Sequence, residues 1–289
     1  MDSKAFAAVA ALFGALVGSF LNVVIHRLPR GESLVRPGSR CPACGRAIKP
    51  WNNVPLLAWL WLRGRCRDCG TRIPVRYPLV EALTAALFAG IALRFGATPM
   101  APLWMAFGAA LLAVAAIDLD HRVIPDEISL GGLAVGLTLA PATRVVEGAA
   151  ASAAWGQAAS GALLGGGLLW VVGFLHARAC AASGRRFEHW PGGDEAFPRP
   201  GSLDYWTWFP GMGFGDVKLL AMIGAFLGPA GVLQTLVAAS LAGLLFGLGW
   251  AVLRRSFATP FGFGPMLAIG ALLALLGPGS SLPLFSAWR

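Results

Sequence analysis

The stretch IDLDHRVIPD, residues Ile117–Asp126, closes an apolar run that begins near Met100. It places three carboxylates, a His and an Arg at the end of a segment long enough to cross most of a bilayer. Ionisable groups at the edge of a membrane span are costly, so they mark a candidate functional site. The alternative is that each of them is a solvated loop residue.

The composition of the whole chain is that of a membrane protein. Of its 289 residues, 56% are hydrophobic and 13% are charged, and the mean hydropathy is +0.66. Soluble domains carry roughly 25% charged residues. The net charge of +9 comes from basic residues in loops between apolar runs, a pattern typical of membrane topology. We therefore expect a lipid bilayer as partner and no nucleic acid.

Eight apolar runs are candidates for membrane-spanning helices. They lie at residues 5–25, 79–93, 100–117, 128–142, 157–176, 217–227, 231–253 and 261–276. The first run is too long for a signal-peptide core, so a retained span is expected. The sequence predicts an all-α polytopic membrane protein with about eight transmembrane helices.

The distribution of basic residues predicts the orientation. With the N-terminus outside, all but four of the 23 Lys and Arg residues fall in or beside cytoplasmic loops. We expect a first transmembrane helix at 1–27, a small cytoplasmic domain at 28–78 and a transmembrane domain at 79–289. The last region contains a cytoplasmic loop at about 179–212, and its aromatic segment Ser183–Trp208 is expected to touch the lipid headgroups.

Four of the five cysteines form two CxxC pairs in the predicted cytoplasmic domain. Cys41 and Cys44 are followed, after 21 residues, by Cys66 and Cys69, and a glycine comes directly after each pair. Two thiolate pairs on tight turns can hold zinc tetrahedrally, and four protein ligands predict a structural metal. Free thiols and disulfides are the alternatives, and a cytoplasmic location disfavours disulfides.

A second polar constellation is GMGFGDVK, residues 211–218, directly before the sixth apolar run. Asp216 lies where a glycine-rich loop meets this run. Helix capping explains an Asp at such a position. It does not explain Gly213 and Gly215, which would let another backbone, such as an extended substrate peptide, approach the carboxylate.

The predicted topology places Asp118 and Asp216 at the same membrane face. Asp118 ends the third apolar run on its cytoplasmic side, and Asp216 begins the sixth run on that side. If they are also close laterally, they would share a proton and act as acid and base on a water between them. That is the chemistry of aspartic proteases. The chain has no HExxH and no GxSxG motif that would indicate another hydrolytic centre.

Together these motifs resemble the bacterial type IV prepilin peptidases, bifunctional leader peptidases and N-methyltransferases. The resemblance covers nearly the whole chain. It rests on GSFLNVVIHRLP (18–29), both CxxC pairs, RYPLVEALTA (76–85), IDLDHRVIPD and GFGDVKLLA (213–221). It implies a GxGD-type intramembrane aspartyl protease of the bacterial inner membrane. Such an enzyme cleaves short basic leaders from prepilins or pseudopilins after a Gly, at the cytoplasmic face.

The resemblance also implies the roles of single carboxylates. By motif, the second catalytic residue is Asp216, and the first is Asp118 in preference to Asp120. Asp126 follows a proline and is explained as a cap of the next helix. Because a basic leader needs an acidic surface, Glu81 and the pair Asp194–Glu195 are candidates for contacting it.

A second activity implied by the resemblance is methylation of the new N-terminal residue, with S-adenosylmethionine as methyl donor. The cysteine domain is linked to that activity in the family. The expected cofactors are then structural zinc and S-adenosylmethionine, and the sequence assigns no residue to the methyl-donor site. The alternative function is a non-enzymatic membrane scaffold whose zinc domain docks a cytoplasmic partner.

Overall fold

The computed structural model describes residues 2–184, 198–210, 212–254 and 262–277. All regular elements in these ranges are helices, which confirms the predicted all-α fold. Gly211 and the segment 185–197, which includes Asp194 and Glu195, lie outside the described residues. The helices are α1 (Ser3–Arg27), α2 (Leu57–Trp61), α3 (Arg76–Phe95), α4 (Ala101–His121), α5 (Asp126–Leu137), α6 (Leu139–Val146), α7 (Ala151–Ala182), α8 (Asp204–Thr207), α9 (Phe214–Arg254) and α10 (Gly264–Leu276), with 3₁₀ helices at Leu28–Arg30 and Pro50–Asn52.

The number of candidate spans differs from the predicted eight. Among the described residues, six helical stretches are long and apolar enough to cross a membrane, and α10, with 13 residues, is shorter. These stretches are Ser3–Arg30, Arg76–Phe95, Ala101–His121, Asp126–Val146, Ala151–Ala182 and Phe214–Trp250. The sixth and seventh predicted spans both lie in the last of them, and the kink at Gly228 separates them as the break between the two apolar runs predicted.

A break at Gly228 divides α9 into two helical halves. Gly228 has φ 72° and ψ −179°, and Pro229 follows it. A Cβ placed on Gly224 would lie 2.9 Å from Val232 Cγ2, although residues eight apart in a straight helix are separated by about 12 Å. The two halves therefore fold back on each other. The guanidinium of Arg144 donates to the carbonyl of Phe226, two residues before the break.

The chain forms two compact units, Met1–Val123 and Ile124–Arg289. In the first unit α1 packs along α3 through small residues. A Cβ on Gly14 would lie 2.7 Å from the Thr84 oxygen, and one on Gly18 would lie 2.7 Å from Glu81 Cα. Asn22, one turn further along α1, donates to the carbonyl of Tyr77 at 3.1 Å. This close approach, typical of membrane helices, holds the cysteine-containing segment between two fixed helix ends.

In the second unit α7 packs closely against the first half of α9. A Cβ on Gly161 would lie 2.1 Å from the Gly224 oxygen, and one on Gly165 would lie 2.3 Å from the Leu220 oxygen. On α5, a Cβ on Gly136 would lie 2.7 Å from the Ala225 side chain. The half of α9 that carries Asp216 is therefore held by two neighbouring helices.

The described end of the aromatic loop docks onto α7. Trp206 stacks on Phe174 and Trp170, with ring centroids 5.4 and 6.3 Å apart. The guanidinium of Arg178 lies 3.7 Å from the ring centroid of Tyr205. These contacts attach residues 198–210 to the end of α7, and contact of this loop with lipid headgroups stays a prediction.

Candidate functional site

The two CxxC segments fold into matching turns. The amide of Gly45 donates to the Cys41 carbonyl at 2.8 Å, and that of Gly70 donates to the Cys66 carbonyl at 2.9 Å. Both glycines have positive φ, 68° and 72°, a conformation that other residues rarely adopt. The glycine after each CxxC pair thus closes the turn that directs its two sulfurs to the same side.

The four sulfurs form one cluster that fits a tetrahedral metal. The sulfur atoms of Cys41, Cys44, Cys66 and Cys69 all lie within 4.8 Å of one another. The Cys41 and Cys69 sulfurs are 3.8 Å apart, and a tetrahedron with Zn–S bonds near 2.3 Å has edges of about 3.8 Å. All five cysteines are free of disulfides. The predicted ligand set is brought together and could hold a metal such as zinc.

The thiols of the cluster differ in their protonation. The hydroxyl of Thr71, 3.3 Å from the Cys69 sulfur, and the Thr71 amide lower the pKa of Cys69 to about 6. At Cys44 the Arg46 amide favours the thiolate, but burial and the neighbouring thiols outweigh it and raise the pKa to about 11. Four thiolates so close together repel one another, and a bound cation removes that penalty.

Glu81 is buried where the cysteine segment meets α3. The residue is 8% exposed, and its Oε2 accepts a hydrogen bond of 2.7 Å from the amide of Leu56. A buried carboxylate cannot form part of an exposed acidic surface, so the role expected for Glu81 in contacting a basic leader is not supported by its position. The other two candidates for that role lie outside the described residues.

The structure separates Asp118 from Asp120. Asp118 lies in the last turn of α4 and is 5% exposed, and its carbonyl accepts the Arg122 amide. The Asp120 side chain is 39% exposed and pairs with the guanidinium of Arg76, which also donates to the Ala116 carbonyl at 3.3 Å. Asp120 therefore has a structural partner that links α3 to α4. Asp118 is the buried carboxylate of the two.

Asp126 is held by an ion pair. The N-cap position of α5 is Pro125, and Asp126 is the first residue of the helix. Its side chain is 57% exposed and pairs with the ammonium group of Lys218 on α9. The expectation that Asp126 caps this helix is thus corrected, because Asp126 comes one residue after the cap, although its charge suits the first turn.

Asp216 lies in the first turn of α9, as the third helical residue. It is 7% exposed, and its amide donates to the Gly213 carbonyl at 3.1 Å. Gly213 is exposed, and a Cβ placed on it would lie 3.7 Å from the Asp216 carboxylate. A Cβ on Gly215 would lie 2.9 Å from Ile124 Cβ. Gly215 is therefore explained by packing, and Gly213 is the glycine beside which a peptide could approach Asp216.

Three residues near these carboxylates were not singled out from the sequence. Arg76 and Lys218 neutralise Asp120 and Asp126, and Ile124 covers Gly215. The sequence could have pointed to them, since all three lie inside the motifs RYPLVEALTA, GFGDVKLLA and IDLDHRVIPD.

Asp118 belongs to the first compact unit and Asp216 to the second.

Comparison with protein families gives two matches that together span most of the chain. Residues 12–95 match the bacterial peptidase A24 N-terminal domain, and residues 105–248 match the type IV leader peptidase family. The first match includes the four cysteines and Glu81, and the second includes Asp118 and Asp216. No solved structure is detectably similar to the chain.

Curated relatives extend over nearly the full length of the chain. A protein of Pseudomonas aeruginosa named prepilin leader peptidase/N-methyltransferase is 36% identical over 94% of this chain and 90% of its own length. A protein of the same name from Aeromonas hydrophila is 36% identical over 92% of this chain and 88% of its own length. Another, from Myxococcus xanthus, is 39% identical over 84% of this chain and 62% of its own length. With the cysteine cluster, the buried carboxylates and these relatives in agreement, the chain belongs to the type IV leader peptidase family.

Proposed function

We propose that the chain is an intramembrane aspartyl endopeptidase that removes the short basic leader of type IV prepilins or pseudopilins. The protein would then methylate the N-terminal residue that cleavage exposes. Membership in the type IV leader peptidase family and the names of the relatives support both activities. They favour an enzyme over the alternative of a non-enzymatic scaffold.

The observation that carries the peptidase proposal is the burial of two carboxylates at the ends of apolar helices. Asp118 and Asp216 are 5% and 7% exposed, whereas the nearby Asp120 and Asp126 are exposed and ion-paired. A buried carboxylate in a membrane helix is costly, so a functional role is the default explanation. The burial of these two residues and the ion pairs of their neighbours favour Asp118 and Asp216 as the catalytic pair.

The helix positions of the two residues suggest different roles. Asp216 lies in the first turn of α9, where the positive end of the helix dipole stabilises a negative charge. Asp118 lies in the last turn of α4, where the negative end of the dipole disfavours a negative charge. In the proposed reaction Asp216 takes a proton from a water molecule while the oxygen of that water attacks the scissile carbonyl. Asp118 then protonates the leaving amine. The exposed backbone at Gly213 would admit the extended substrate.

We also propose the assignments of cofactors, regions and orientation. Zinc held by the four cysteines would be structural, because four protein ligands leave no open position. S-adenosylmethionine would supply the electrophilic methyl group. The regions would be the first helix at 1–27, the zinc domain at 28–78 and the protease domain at 79–289. The N-terminus would lie outside and the active site towards the cytoplasm, as the basic loops indicate.

A cleavage assay on single carboxylate variants tests the peptidase proposal. The purified protein in detergent or lipid is given a leader-bearing pilin peptide, and the mass of the products is followed over time. We expect Asp118→Asn and Asp216→Asn each to lower the cleavage rate by about 10²–10⁴-fold, as for the loss of a general acid or base. Both variants keep the size of the side chain, so insertion and folding should be retained.

The matched controls are Asp120→Asn and Asp126→Asn. Each removes a surface ion pair worth about 0–1 kcal/mol, so cleavage should change less than about tenfold. Cleavage at the wild-type rate by Asp118→Asn or Asp216→Asn would remove that residue from the reaction. A collapse of activity in Asp120→Asn together with an active Asp118→Asn would transfer the role to Asp120.

A further inference from the structure

The short helix α2, inside the cysteine segment, exposes an apolar face. Leu57, Leu60 and Trp61 are each more than half exposed, and their spacing of three and four residues places them on one side of the helix. A patch of large apolar side chains marks a site of interaction with a protein or a membrane. The position of α2 beside α3 decides which of the two covers this face.

Two hydrogen bonds fix α2 beside the beginning of α3. At the start of α2, the amide of Leu56 donates to Glu81 Oε2 at 2.7 Å. Further along, the indole nitrogen of Trp59 donates at 3.2 Å to the carbonyl of Ile73, three residues before α3 begins at Arg76. The helix α2 therefore lies next to the layer of the protein between Ile73 and Glu81.

The length of α3 gives the depth of this layer in a membrane. Arg76–Phe95 has 20 residues, which span about 30 Å, the thickness of the hydrocarbon core of a bilayer. Because α3 needs its whole length to cross that core, Arg76 lies at the boundary. Glu81 comes five residues later, about 7.5 Å inside the boundary. Interfacial helices bury their apolar face by about 5–10 Å, so α2 lies at the depth of such a helix.

The turn that leads into α2 is built for this depth. Leu56 has φ 62° and ψ −53°, and the Leu57 amide donates across it to the Pro55 carbonyl at 2.6 Å. This is a γ-turn of the rare, strained form. Irregular backbone persists at membrane depth only where protein groups satisfy it. The buried Glu81 carboxylate supplies the acceptor for the Leu56 amide, so the chain can turn into α2 within the bilayer.

The sequence around α2 has the composition of a segment at a membrane interface. Between Lys49 and Arg63 the chain carries no charged residue. The ammonium group of Lys49 lies 5.4 Å from the ring centroid of the exposed Trp51. Tryptophans and flanking basic residues anchor segments at the boundary between lipid and water. Both therefore favour lipid over a protein as the partner of the exposed face.

We propose that α2 lies in the bilayer leaflet that borders the cysteine segment, with Leu57, Leu60 and Trp61 in contact with phospholipid acyl chains. This face continues the exposed apolar surface of α3, which includes Leu79 and Leu83. The cysteine segment is then attached to the membrane at a third point besides α1 and α3, which holds the metal cluster against the bilayer. The proposal does not depend on either of the two activities proposed above.

Cross-linking to lipid tests the proposal on the unaltered protein. The full-length, metal-loaded protein is placed in phosphatidylcholine nanodiscs that contain a phospholipid with a diazirine in its acyl chain. After irradiation and digestion, the labelled residues are mapped by mass spectrometry. We expect label on α2 as well as on α1 and α3, and none on the exposed polar turn at 67–70. Label on α3 around Leu79 and Leu83 with none on α2 would overturn the proposal.

A photoreactive residue on the exposed face identifies its partner directly. In Leu60→p-benzoylphenylalanine, irradiation should give an adduct with the mass of one phospholipid. The matched control Arg67→p-benzoylphenylalanine, at an exposed position of the same segment, should give no such adduct. An adduct of the Leu60 variant with a second copy of the chain, or with a pilin peptide added to the nanodiscs, would assign the face to a protein and overturn the lipid assignment.

A charge on the exposed face should expel α2 from the leaflet. We expect Leu60→Asp to lower the diazirine label on α2 by about tenfold or more, because burial of one leucine shifts an insertion equilibrium by that factor. Label on α3 and metal content should stay at the wild-type level, which shows that the segment is still folded. Leu60→Met keeps the apolar surface and should label like the wild type. Undiminished label on α2 in Leu60→Asp would contradict the proposed insertion.

Discussion

Replacing Gly215 by Ala tests how the catalytic loop is packed. The new Cβ would lie 2.9 Å from Ile124 Cβ, 3.4 Å from Cγ1 and 3.5 Å from Cδ1. Carbon atoms reach their optimal separation at about 3.5–4.0 Å. Rotation of the Ile124 side chain relieves only the two longer contacts, because a Cβ atom is fixed by its backbone. The backbone of the loop or of α9 must therefore move by about 0.5–1 Å.

The cost of this movement follows from overpacking in well-packed cores. Such substitutions cost about 1–3 kcal/mol, which lowers the unfolding midpoint of a unit of this size by about 2–12 °C. Because Asp216 is the next residue, the shift also moves a proposed catalytic carboxylate. A misplacement of about 1 Å can cost on the order of 10²-fold in rate. We therefore expect Gly215→Ala to lose both stability and cleavage.

The measurement pairs thermal unfolding in detergent with the cleavage assay. Gly213→Ala is the matched variant, since its Cβ would meet nothing closer than the Asp216 carboxylate at 3.7 Å. It should keep the wild-type midpoint and lose cleavage by obstructing the substrate backbone. In a double-mutant cycle, Ile124→Gly should reduce the cost of Gly215→Ala. An unchanged midpoint in Gly215→Ala, or no coupling to Ile124, would refute the packing argument.

Three further outcomes follow from contacts elsewhere in the protein. Cys44→Ser should release the bound metal, measured by mass spectrometry of zinc, while Cys180→Ser should retain it; equal metal content in both would reject the four-cysteine site. Arg144→Met removes a donor from a carbonyl at the break of α9 and should cost about 1–3 kcal/mol in unfolding free energy, so an unchanged midpoint would exclude this cap. Gly18→Ala should destabilise the first unit by about 1–3 kcal/mol, because its Cβ would lie 2.7 Å from the backbone of α3. Gly156→Ala, with open space around it, is the control and should be neutral or stabilising; equal effects of the two would argue against close packing of α1 on α3.

Much of this protein follows from the local order of its residues. Long apolar runs form helices because a bilayer offers no other partner to the backbone. Each CxxC pair presents its two sulfurs from one tight turn because it is followed by the glycine that such a turn requires, at Gly45 and Gly70. These features depend on spacing within a few residues, which is why the all-α fold and the cysteine cluster could be predicted. The break between the sixth and seventh apolar runs is equally local, because Gly228 and Pro229 interrupt the helix where the two runs meet.

The roles of the single carboxylates depend on residues far away along the chain. Composition and spacing alone do not distinguish Asp118, Asp120 and Asp126, and the preference for Asp118 came from the resemblance to a family. Burial of Asp118 and the ion pairs of Asp120 with Arg76 and of Asp126 with Lys218 distinguish them in the structure. Those partners are 44 and 92 residues distant, and no local pattern specifies which distant side chain will neutralise a charge. Tertiary packing therefore selects the carboxylate that stays buried at the end of α4.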